Sequence, residues 1–311
     1  MQDMTLANHD IFAPLYRELK QDLNSEICLN EPMARHSTFK AGGPASIFAI
    51  ADSLEELRVT TRLAREMGIP LLIVGRGSNL LVSDNGFKGI VLRLGGYFGR
   101  INIDGRYVQA GAAITLPKLV QATYKAGLKS LAFAVGIPGT LGGAVMVNAG
   151  AYGECIANYV KTVTIYSFEG RLKAYGRNEI KFGYRNSSLP GEGIILEVML
   201  KLEEGDMALV KLRMERYFKA RKDSQPVSFA SAGSVFKNPK DQFAGRLIEE
   251  AGCKGWRKGN AMVSEKHANF IVNLGNAKAS DIYGLLRRVQ DRVQAKTGIL
   301  LEPEIKLIGK F

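Results

Sequence analysis

Two glycine-rich segments constrain this chain more than any other feature of its sequence. The first runs from Gly75 to Gly86 and the second from Gly136 to Gly153. Glycine adopts positive φ angles and lets the backbone approach a ligand closely, and successive N–H groups in such turns form a concavity for an anion. Each segment alone is also consistent with tight turns between strands. Together they predict a site for a large phosphate-bearing ligand.

Two familiar phosphate-binding motifs do not fit these segments. Gly75 and Gly77 follow an apolar run that predicts a buried strand, but position 80 is Leu where a dinucleotide fingerprint has its third glycine. Residues 80–86 form a short apolar run that ends in a turn, so no long helix follows to hold a pyrophosphate. The chain also lacks the Gly-Lys-Ser/Thr of a P-loop.

The length and composition bound the class of protein. A chain of 311 residues suits two or three domains, and an apolar fraction of 46% is ordinary for a globular core. We expect no membrane span, no secretory signal at the acidic N-terminus, and no metal site. Cys28, Cys155 and Cys253 lie too far apart for a disulfide framework or a zinc cluster. These features predict a cytoplasmic protein with reduced thiols, and a monomer is the default expectation.

The net charge of +12 is concentrated in the last third of the chain, where residues 208–311 hold 20 Lys and Arg against 10 Asp and Glu. Such an excess is typical of proteins that bind nucleic acid, an acidic surface or a phosphorylated small molecule. No block of like charge and no aromatic stacking pattern accompanies it, so nucleic acid is the weaker hypothesis. A solvated positive face remains the simpler alternative for most of these residues.

Periodicity and capping signals predict an α+β fold with α/β character at the start. The predicted elements are a helix capped by Ser53 and Glu56 between strands at 45–51 and 71–74, a helix from Thr115 to Gly127, sheet across 159–202, a basic helix capped by Asp206, a helix over 241–252, a strand at 269–273, a helix capped by Ser280 that ends before Gly298, and a strand over 299–308. The composition changes near Asp206, where we place a domain boundary.

The residues for acid, base or nucleophile chemistry are few. None of His9, His36 and His267 has a partner at motif spacing, so a hydrolase triad is not expected, and His9 is interpreted as a packed or surface residue and not as a catalyst. The segment from Ser231 to Pro239 is more specific, because a glycine beside Ser234 can present its hydroxyl on a sharp turn.

Taken in order, the motifs of the chain resemble the family of UDP-N-acetylenolpyruvoylglucosamine reductases, flavoenzymes of peptidoglycan precursor synthesis. The resemblance spans the chain from about Pro32 and rests on these segments: Val74–Leu81, Gly136–Gly143, Asn148–Gly153, Tyr184–Arg185, Ala232–Pro239 and Leu301–Ile305. It implies a two-part FAD-binding fold of the vanillyl-alcohol-oxidase (PCMH) type with an α/β substrate-binding domain. The corresponding division is residues 1–95, 96–205 and 206–298, with a C-terminal strand, 299–311, that can return to the first part.

The resemblance also implies the chemistry. NADPH reduces non-covalently bound FAD, and the hydride then passes to C3 of the enolpyruvyl group. Ser234 would protonate C2, Arg185 would bind the substrate carboxylate, and a protonated Glu304 would donate to the enolic oxygen.

The remaining site residues follow from the same resemblance. Expected FAD contacts are Gly75, Arg76, Gly77, Ser78, Asn79, Leu80, Ser83, Gly136, Pro138, Gly139, Thr140, Gly142 and Gly143. Expected contacts to the UDP-sugar are Tyr152, Lys237, Asn238 and His267. The chain resembles the shorter subclass that lacks a tyrosine-bearing loop, so Tyr152 either takes that tyrosine's place or packs within the flavin domain. We interpret His36 as structural.

Two other classes remain open at this stage. A flavoprotein oxidase of the same fold, acting on a sugar or alcohol, would react rapidly with oxygen and need no NADPH. A basic nucleotide- or nucleic-acid-binding protein would carry no flavin.

Overall fold

A computed structural model describes residues 11–311, which divide into two compact units. The first unit contains residues 11–31, 46–75 and 89–218, and the second contains residues 32–45, 76–88 and 219–311. The first ten residues, which include His9 and the acidic N-terminal stretch, lie outside the described part. The three-part division by sequence stays a prediction.

The chain contains both helices and strands, with several strands in a row between helices. The helices are α1 Phe12–Asp22, α2 Leu54–Glu66, α3 Leu116–Lys125, α4 Leu141–Met146, α5 Met207–Ser224, α6 Ala244–Glu250 and α7 Ala279–Thr297. The strands are β1 Ile27–Pro32, β2 Pro44–Ala51, β3 Leu71–Val74, β4 Leu80–Val82, β5 Phe87–Leu94, β6 Ile101–Asp104, β7 Tyr107–Gly111, β8 Gly150–Ala151, β9 Glu154–Cys155, β10 Val160–Ser167, β11 Leu172–Gly176, β12 Phe182–Gly183, β13 Asn186–Ser187, β14 Gly193–Lys201, β15 Arg257–Lys258, β16 Ala261–Val263, β17 Ile271–Asn273 and β18 Lys306–Ile308. This mixture confirms the α+β class.

The first unit is built around two sheets. One has the strand order β1-β2-β5-β3, with β3 and β5 parallel, and α2 connects β2 to β3 as the sequence predicts. The other is antiparallel in the order β11-β10-β14-β7-β6. Its central strand β14 is apolar along most of its length and contributes Ile194, Val198 and Leu200 to the core of this unit.

Helix α2 begins where the sequence predicts, because its capping signals are local. Ser53 Oγ accepts from the N–H of Glu56 at 3.2 Å, and the Glu56 carboxylate accepts from the N–H of Ser53 at 3.2 Å. That carboxylate also accepts from the N–H of Asp52 and of Asn24. Burial alone would raise the pKa of Glu56, but these hydrogen bonds outweigh it and lower the pKa.

The second unit has its own apolar core, formed by α6, α7 and the β15-β16-β17 sheet. Phe39 and Leu81 from the earlier part of the chain are fully buried in it. The C-terminal strand β18 pairs in parallel with β4, matching Lys306 to Leu80. The predicted strand over 299–308 is wrong for its first part, since only Lys306–Ile308 forms a strand. Pro303 lacks a backbone donor and forms only an isolated bridge with Phe236.

The predicted cap of helix α7 is also wrong. Ser280 lies inside the first turn, and a carboxylate from far along the chain takes the capping role. Asp84 Oδ1 accepts from the N–H of Ala279 at 2.7 Å, and Oδ2 accepts from the N–H of Ser280 at 2.9 Å. Burial would raise the pKa of Asp84, but the bonds from Ser280 and Ala279 and the charge of Lys278 lower it. The far end of α7 is as predicted, with Gly298 in the left-handed conformation at φ 75°.

We expect Asp84→Ala to lower the free energy of unfolding by about 1 kcal/mol at pH 7, the usual effect of losing a helix cap. Since the folded-state pKa is lowered, this contribution is complete above the unfolded pKa of about 3.9 and is lost as the pH falls through the folded value. Urea unfolding of both proteins across a pH series measures the difference. Asn85→Ala, at the exposed neighbouring position, is the control. A difference that stays constant down to pH 3 would contradict the charged cap.

Candidate active site

The second glycine-rich segment is hydrogen-bonded to the chain at Ala112 in the first unit. Thr140 caps α4, its Oγ1 accepting from the N–H of Gly143 at 3.4 Å, and the N–H of Gly142 donates to Ala112 at 2.9 Å. Gly136 and Gly139 have φ angles of 73° and 140°. These are conformations that side chains with a Cβ rarely adopt. The segment therefore holds a fixed shape that its glycines make possible.

The two glycine-rich segments meet where Gly75 lies against Thr140. A Cβ at position 75 would stand 2.6 Å from Thr140 Oγ1, so only glycine fits there. Gly143 is exposed, and a Cβ built on it would have Thr140 Oγ1 as its nearest neighbour at 3.6 Å. Gly143, in the first turn of α4, is thus exposed without a covering side chain, beside the buried Thr140 and Gly142. This arrangement suits the close approach of a phosphate-bearing cofactor.

After Gly75 the first segment enters the second unit, where Gly77 is tightly packed against backbone. Gly77 has φ 63°, and a Cβ there would overlap the carbonyl oxygen of His36. The carbonyl of Gly77 accepts from the N–H of Thr38 at 3.1 Å. Of the other expected FAD contacts, Arg76 is exposed, Ser78 and Leu80 are half-buried, Pro138 is exposed and Ser83 is buried, its hydroxyl donating to the carbonyl of Gly86. Their contacts to FAD stay predictions.

Asn79 connects the first glycine-rich segment to Glu304. Its Nδ2 donates to the carbonyl of Glu304 at 3.2 Å, and its own carbonyl accepts from the N–H of Lys306 at 2.9 Å. The parallel pairing of β4 with β18 starts at the next residues. An expected FAD contact and an expected catalytic acid are therefore adjacent in the second unit.

Ser234 and Glu304 are brought together by backbone hydrogen bonds around Val235. The N–H of Glu304 donates to the carbonyl of Val235 at 2.8 Å, and the N–H of Lys237 donates to the carbonyl of Glu302 at 2.9 Å. Ser234 is half-buried and follows Gly233, whose φ is 75°. The predicted sharp turn before the serine is thus present.

The expected UDP-sugar contacts of the second unit all have protein partners. Lys237 Nζ forms an ion pair with Glu302, and Asn238 Oδ1 accepts from the N–H of Ala244 at 3.0 Å at the start of α6. Both side chains therefore help to order the segment that follows Ser234. Their contacts to the UDP-sugar stay predictions.

The ring of His267 is fixed by one hydrogen bond and one aromatic contact. Its Nδ1 accepts from the N–H of Asn269 at 3.2 Å, and its ring packs edge-on against Phe270 with centroids 4.9 Å apart. Burial is the main cause that lowers the pKa of His267. With Nδ1 acting as an acceptor, the imidazole proton resides on Nε2, which is the nitrogen that can donate to a ligand.

Arg185 and Tyr152 belong to the first unit and both have left-handed backbone conformations, with φ angles of 54° and 55°. The Arg185 guanidinium donates to the carbonyl of Gly150 at 3.0 Å. Tyr152 stacks on Tyr217 at 4.0 Å with the rings 3° from parallel, and its hydroxyl donates to the Tyr217 carbonyl at 2.8 Å. Tyr152 is thus a packed aromatic that is still 41% exposed, and its contact with substrate stays a prediction.

Sequence reasoning missed Asn269. It lies in a predicted strand, and its side chain bonds to Phe236, 33 residues away along the chain. No motif spacing connects the two positions, so only the folded chain brings them together.

Two family models match the chain. One, described as the FAD binding domain, matches residues 45–175, which contain both glycine-rich segments. The other, described as the C-terminal domain of UDP-N-acetylenolpyruvoylglucosamine reductase, matches residues 225–308, which contain Ser234, Asn269 and Glu304.

Curated relatives extend the match over nearly the whole chain. The UDP-N-acetylenolpyruvoylglucosamine reductase of Heliobacterium modesticaldum is 45% identical over 294 residues, 94% of each chain. The chain belongs to the UDP-N-acetylenolpyruvoylglucosamine reductase family. The reductase of Desulforamulus reducens is 40% identical over 96% of this chain and 99% of its own.

A solved member of the reductase family has the same fold. The crystal structure of the reductase from Thermus caldophilus matches with a TM-score of 0.80 and 40% identity, covering 92% of this chain and 99% of that one. The predictions of the family, of its FAD-binding fold and of FAD as the cofactor are therefore confirmed.

Two further observations concern residues 11–311 only. None of their helices combines the length and the apolar character needed to cross a bilayer. No group of three or more His, Cys, Asp or Glu side chains among them is placed to bind a metal ion.

We expect Gly77→Ala to destabilise the protein by about 2–5 kcal/mol, because it adds the cost of a left-handed alanine to a clash with His36. Gly105→Ala is the matched control. Gly105 also has positive φ, 50°, but a Cβ there would meet open space, so the expected cost is only about 1 kcal/mol. Urea unfolding and flavin absorbance of the purified variants measure both effects. Equal effects of the two substitutions would contradict the close packing of Gly77.

Proposed function

We propose that this chain catalyses the NADPH-dependent reduction of UDP-N-acetylglucosamine enolpyruvate to UDP-N-acetylmuramate, a step of peptidoglycan precursor synthesis. Family membership over nearly the full length supports the reaction. The backbone bond from Glu304 to Val235 is the observation that carries the assignment of residues, because it supports the pairing of the expected acid with the segment of the expected proton donor.

The two glycine-rich segments would hold FAD through their backbone, with Gly75, Thr140 and Gly143 forming the accessible turn of the first unit. Bound FAD supplies the hydride relay between NADPH and C3 of the enolpyruvyl group. The binding is non-covalent in this proposal, and His36 serves a structural role through its carbonyl, which packs against Gly77.

Ser234 is the proton donor to C2. A serine hydroxyl is a poor acid in water, but the carbanion or enolate at C2 is far more basic, so transfer requires mainly that the hydroxyl be held within hydrogen-bond reach. Arg185 binds the substrate carboxylate through two parallel hydrogen bonds. Glu304 in its protonated form donates to the enolic oxygen, where negative charge develops.

The UDP-sugar would be held by Lys237, Asn238, His267 and Tyr152. Lys237 already pairs with a carboxylate, Glu302, so a diphosphate would replace or share that partner. His267 would offer its Nε2 proton to the ligand. The positive charge of the last third, 20 basic against 10 acidic residues, favours an anionic substrate in the same region.

We further propose that the protein acts as a monomer in the cytoplasm, where NADPH is supplied, and that it binds no nucleic acid. The oxidase alternative is not favoured, since the relatives that match over the whole chain are reductases.

We expect Ser234→Ala to leave the reduction of FAD by NADPH nearly unchanged and to slow reoxidation by the enolpyruvyl substrate by about 10²–10⁴-fold, the usual effect of losing a general acid. That range corresponds to roughly 3–5.5 kcal/mol of barrier. Anaerobic stopped-flow traces at the flavin band separate the two half-reactions.

Ser231→Ala, a half-buried serine in the same segment, is the matched control and should change neither rate by more than about twofold. If Ser234→Ala slows both half-reactions equally, or neither, the serine is not the proton donor.

A further inference from the structure

Asn269 holds the segment that follows Ser234 with three hydrogen bonds. Its side-chain Oδ1 accepts from the N–H of Phe236 at 2.9 Å, and its Nδ2 donates to the carbonyl of Phe236 at 2.8 Å. Its own carbonyl accepts from the N–H of Val235 at 2.8 Å. Asn269 is only 3% exposed, so these bonds are shielded from water.

The bond to Val235 bears directly on Ser234. The N–H of Val235 belongs to the peptide that joins Ser234 to Val235, so fixing it fixes the ψ angle of Ser234. On the other side of the serine, Gly233 has positive φ and open space around the position of a Cβ. Glycine imposes little steric restraint there. The orientation of Ser234 is therefore set from its C-terminal side.

The opposite edge of the same segment is held by the chain near Glu304. The N–H of Glu304 donates to the carbonyl of Val235, while the side chain of Asn269 bonds to both the backbone N–H and the carbonyl of Phe236. The segment is thus hydrogen-bonded from both edges. Without the amide of Asn269, the buried peptide groups of Phe236 would lose their partners and the segment could shift toward other donors.

We propose that Asn269 is a positioning residue for the protonation step, acting through Val235 and Phe236 on the hydroxyl of Ser234. The proposal rests on the proposed function, in which Ser234 donates the proton to C2. Asn269 touches neither the serine side chain nor the reacting atoms in this proposal. Its contribution is to keep the hydroxyl at the distance that proton transfer requires, since displacement by about 1 Å can cost 10²-fold in rate.

The first test is Asn269→Asp, which keeps the size of the side chain and the acceptor for Phe236 but removes the donor to the Phe236 carbonyl. We expect flavin reduction by NADPH to stay within about twofold of the wild type, and reoxidation by UDP-N-acetylglucosamine enolpyruvate to slow by about 10²-fold. Asn269→Ala, which removes both side-chain bonds, should give the same pattern with a larger effect. A variant that slows both half-reactions equally would overturn the proposal, as would failure of both variants to fold with bound flavin.

Asn273→Asp is the matched control. Asn273 is also buried, at 6% exposure, and its side chain likewise bonds to backbone. Its Nδ2 donates to the carbonyls of Phe39 and Lys40, and its Oδ1 accepts from the N–H groups of Gly275 and Ala277. The same substitution there should lower thermal stability without changing the ratio of the two half-reaction rates. If Asn273→Asp also altered this ratio, the effect at Asn269 would reflect a general loss of packing in the second unit, and the proposal would be overturned.

A double-mutant cycle with Ser234→Ala completes the test. If Asn269 acts through Ser234, Asn269→Asp should slow reoxidation no further once the hydroxyl is gone. Additive effects would overturn the positioning role while leaving Ser234 as the donor. If Ser234→Ala alone leaves reoxidation unchanged, the proton-donor assignment itself fails, so the two failures give different results.

Discussion

The hydrogen bonds that hold residues 235–237 from both edges are the constraint on which the second unit depends. On one edge lies Asn269, and on the other lie Glu302 and Glu304. Because Glu304 is tied in turn to Asn79, the same network connects the first glycine-rich segment with the expected acid and proton donor. These segments come from three distant parts of the chain, so the geometry of the site exists only once the unit has folded.

In the first unit, glycines and not polar side chains shape the backbone of the expected cofactor site. Gly75 leaves room for Thr140, and Thr140 in turn caps the short helix α4 within the second glycine-rich segment. The result is an accessible backbone turn that needs no cationic side chain to accept a phosphate-bearing cofactor. Basic groups concentrate elsewhere, in the last third of the chain, which also contains Lys237, Asn238 and His267 of the proposed UDP-sugar contacts.

The sequence predicted the features whose causes are local. Ser53 and Glu56 cap α2 within a single turn, and Gly298 ends α7 with its own positive φ. The cap of α7 escaped prediction because Asp84 lies 195 residues before Ala279, and only tertiary packing joins them. The contact of Asn269 with Phe236 was missed for the same reason. Ser234 and Glu304 were singled out through their motifs, but nothing in those motifs shows that the N–H of Glu304 bonds to the carbonyl of Val235, the residue after the serine.

A single turnover tests most directly whether this chain uses a flavin to reduce an enolpyruvyl UDP-sugar. The wild-type protein is reduced anaerobically with one equivalent of NADPH and then mixed with UDP-N-acetylglucosamine enolpyruvate. The flavin should reoxidise without oxygen and yield one equivalent of UDP-N-acetylmuramate. A flavin that stays reduced until oxygen is admitted would contradict the claim and indicate an oxidase.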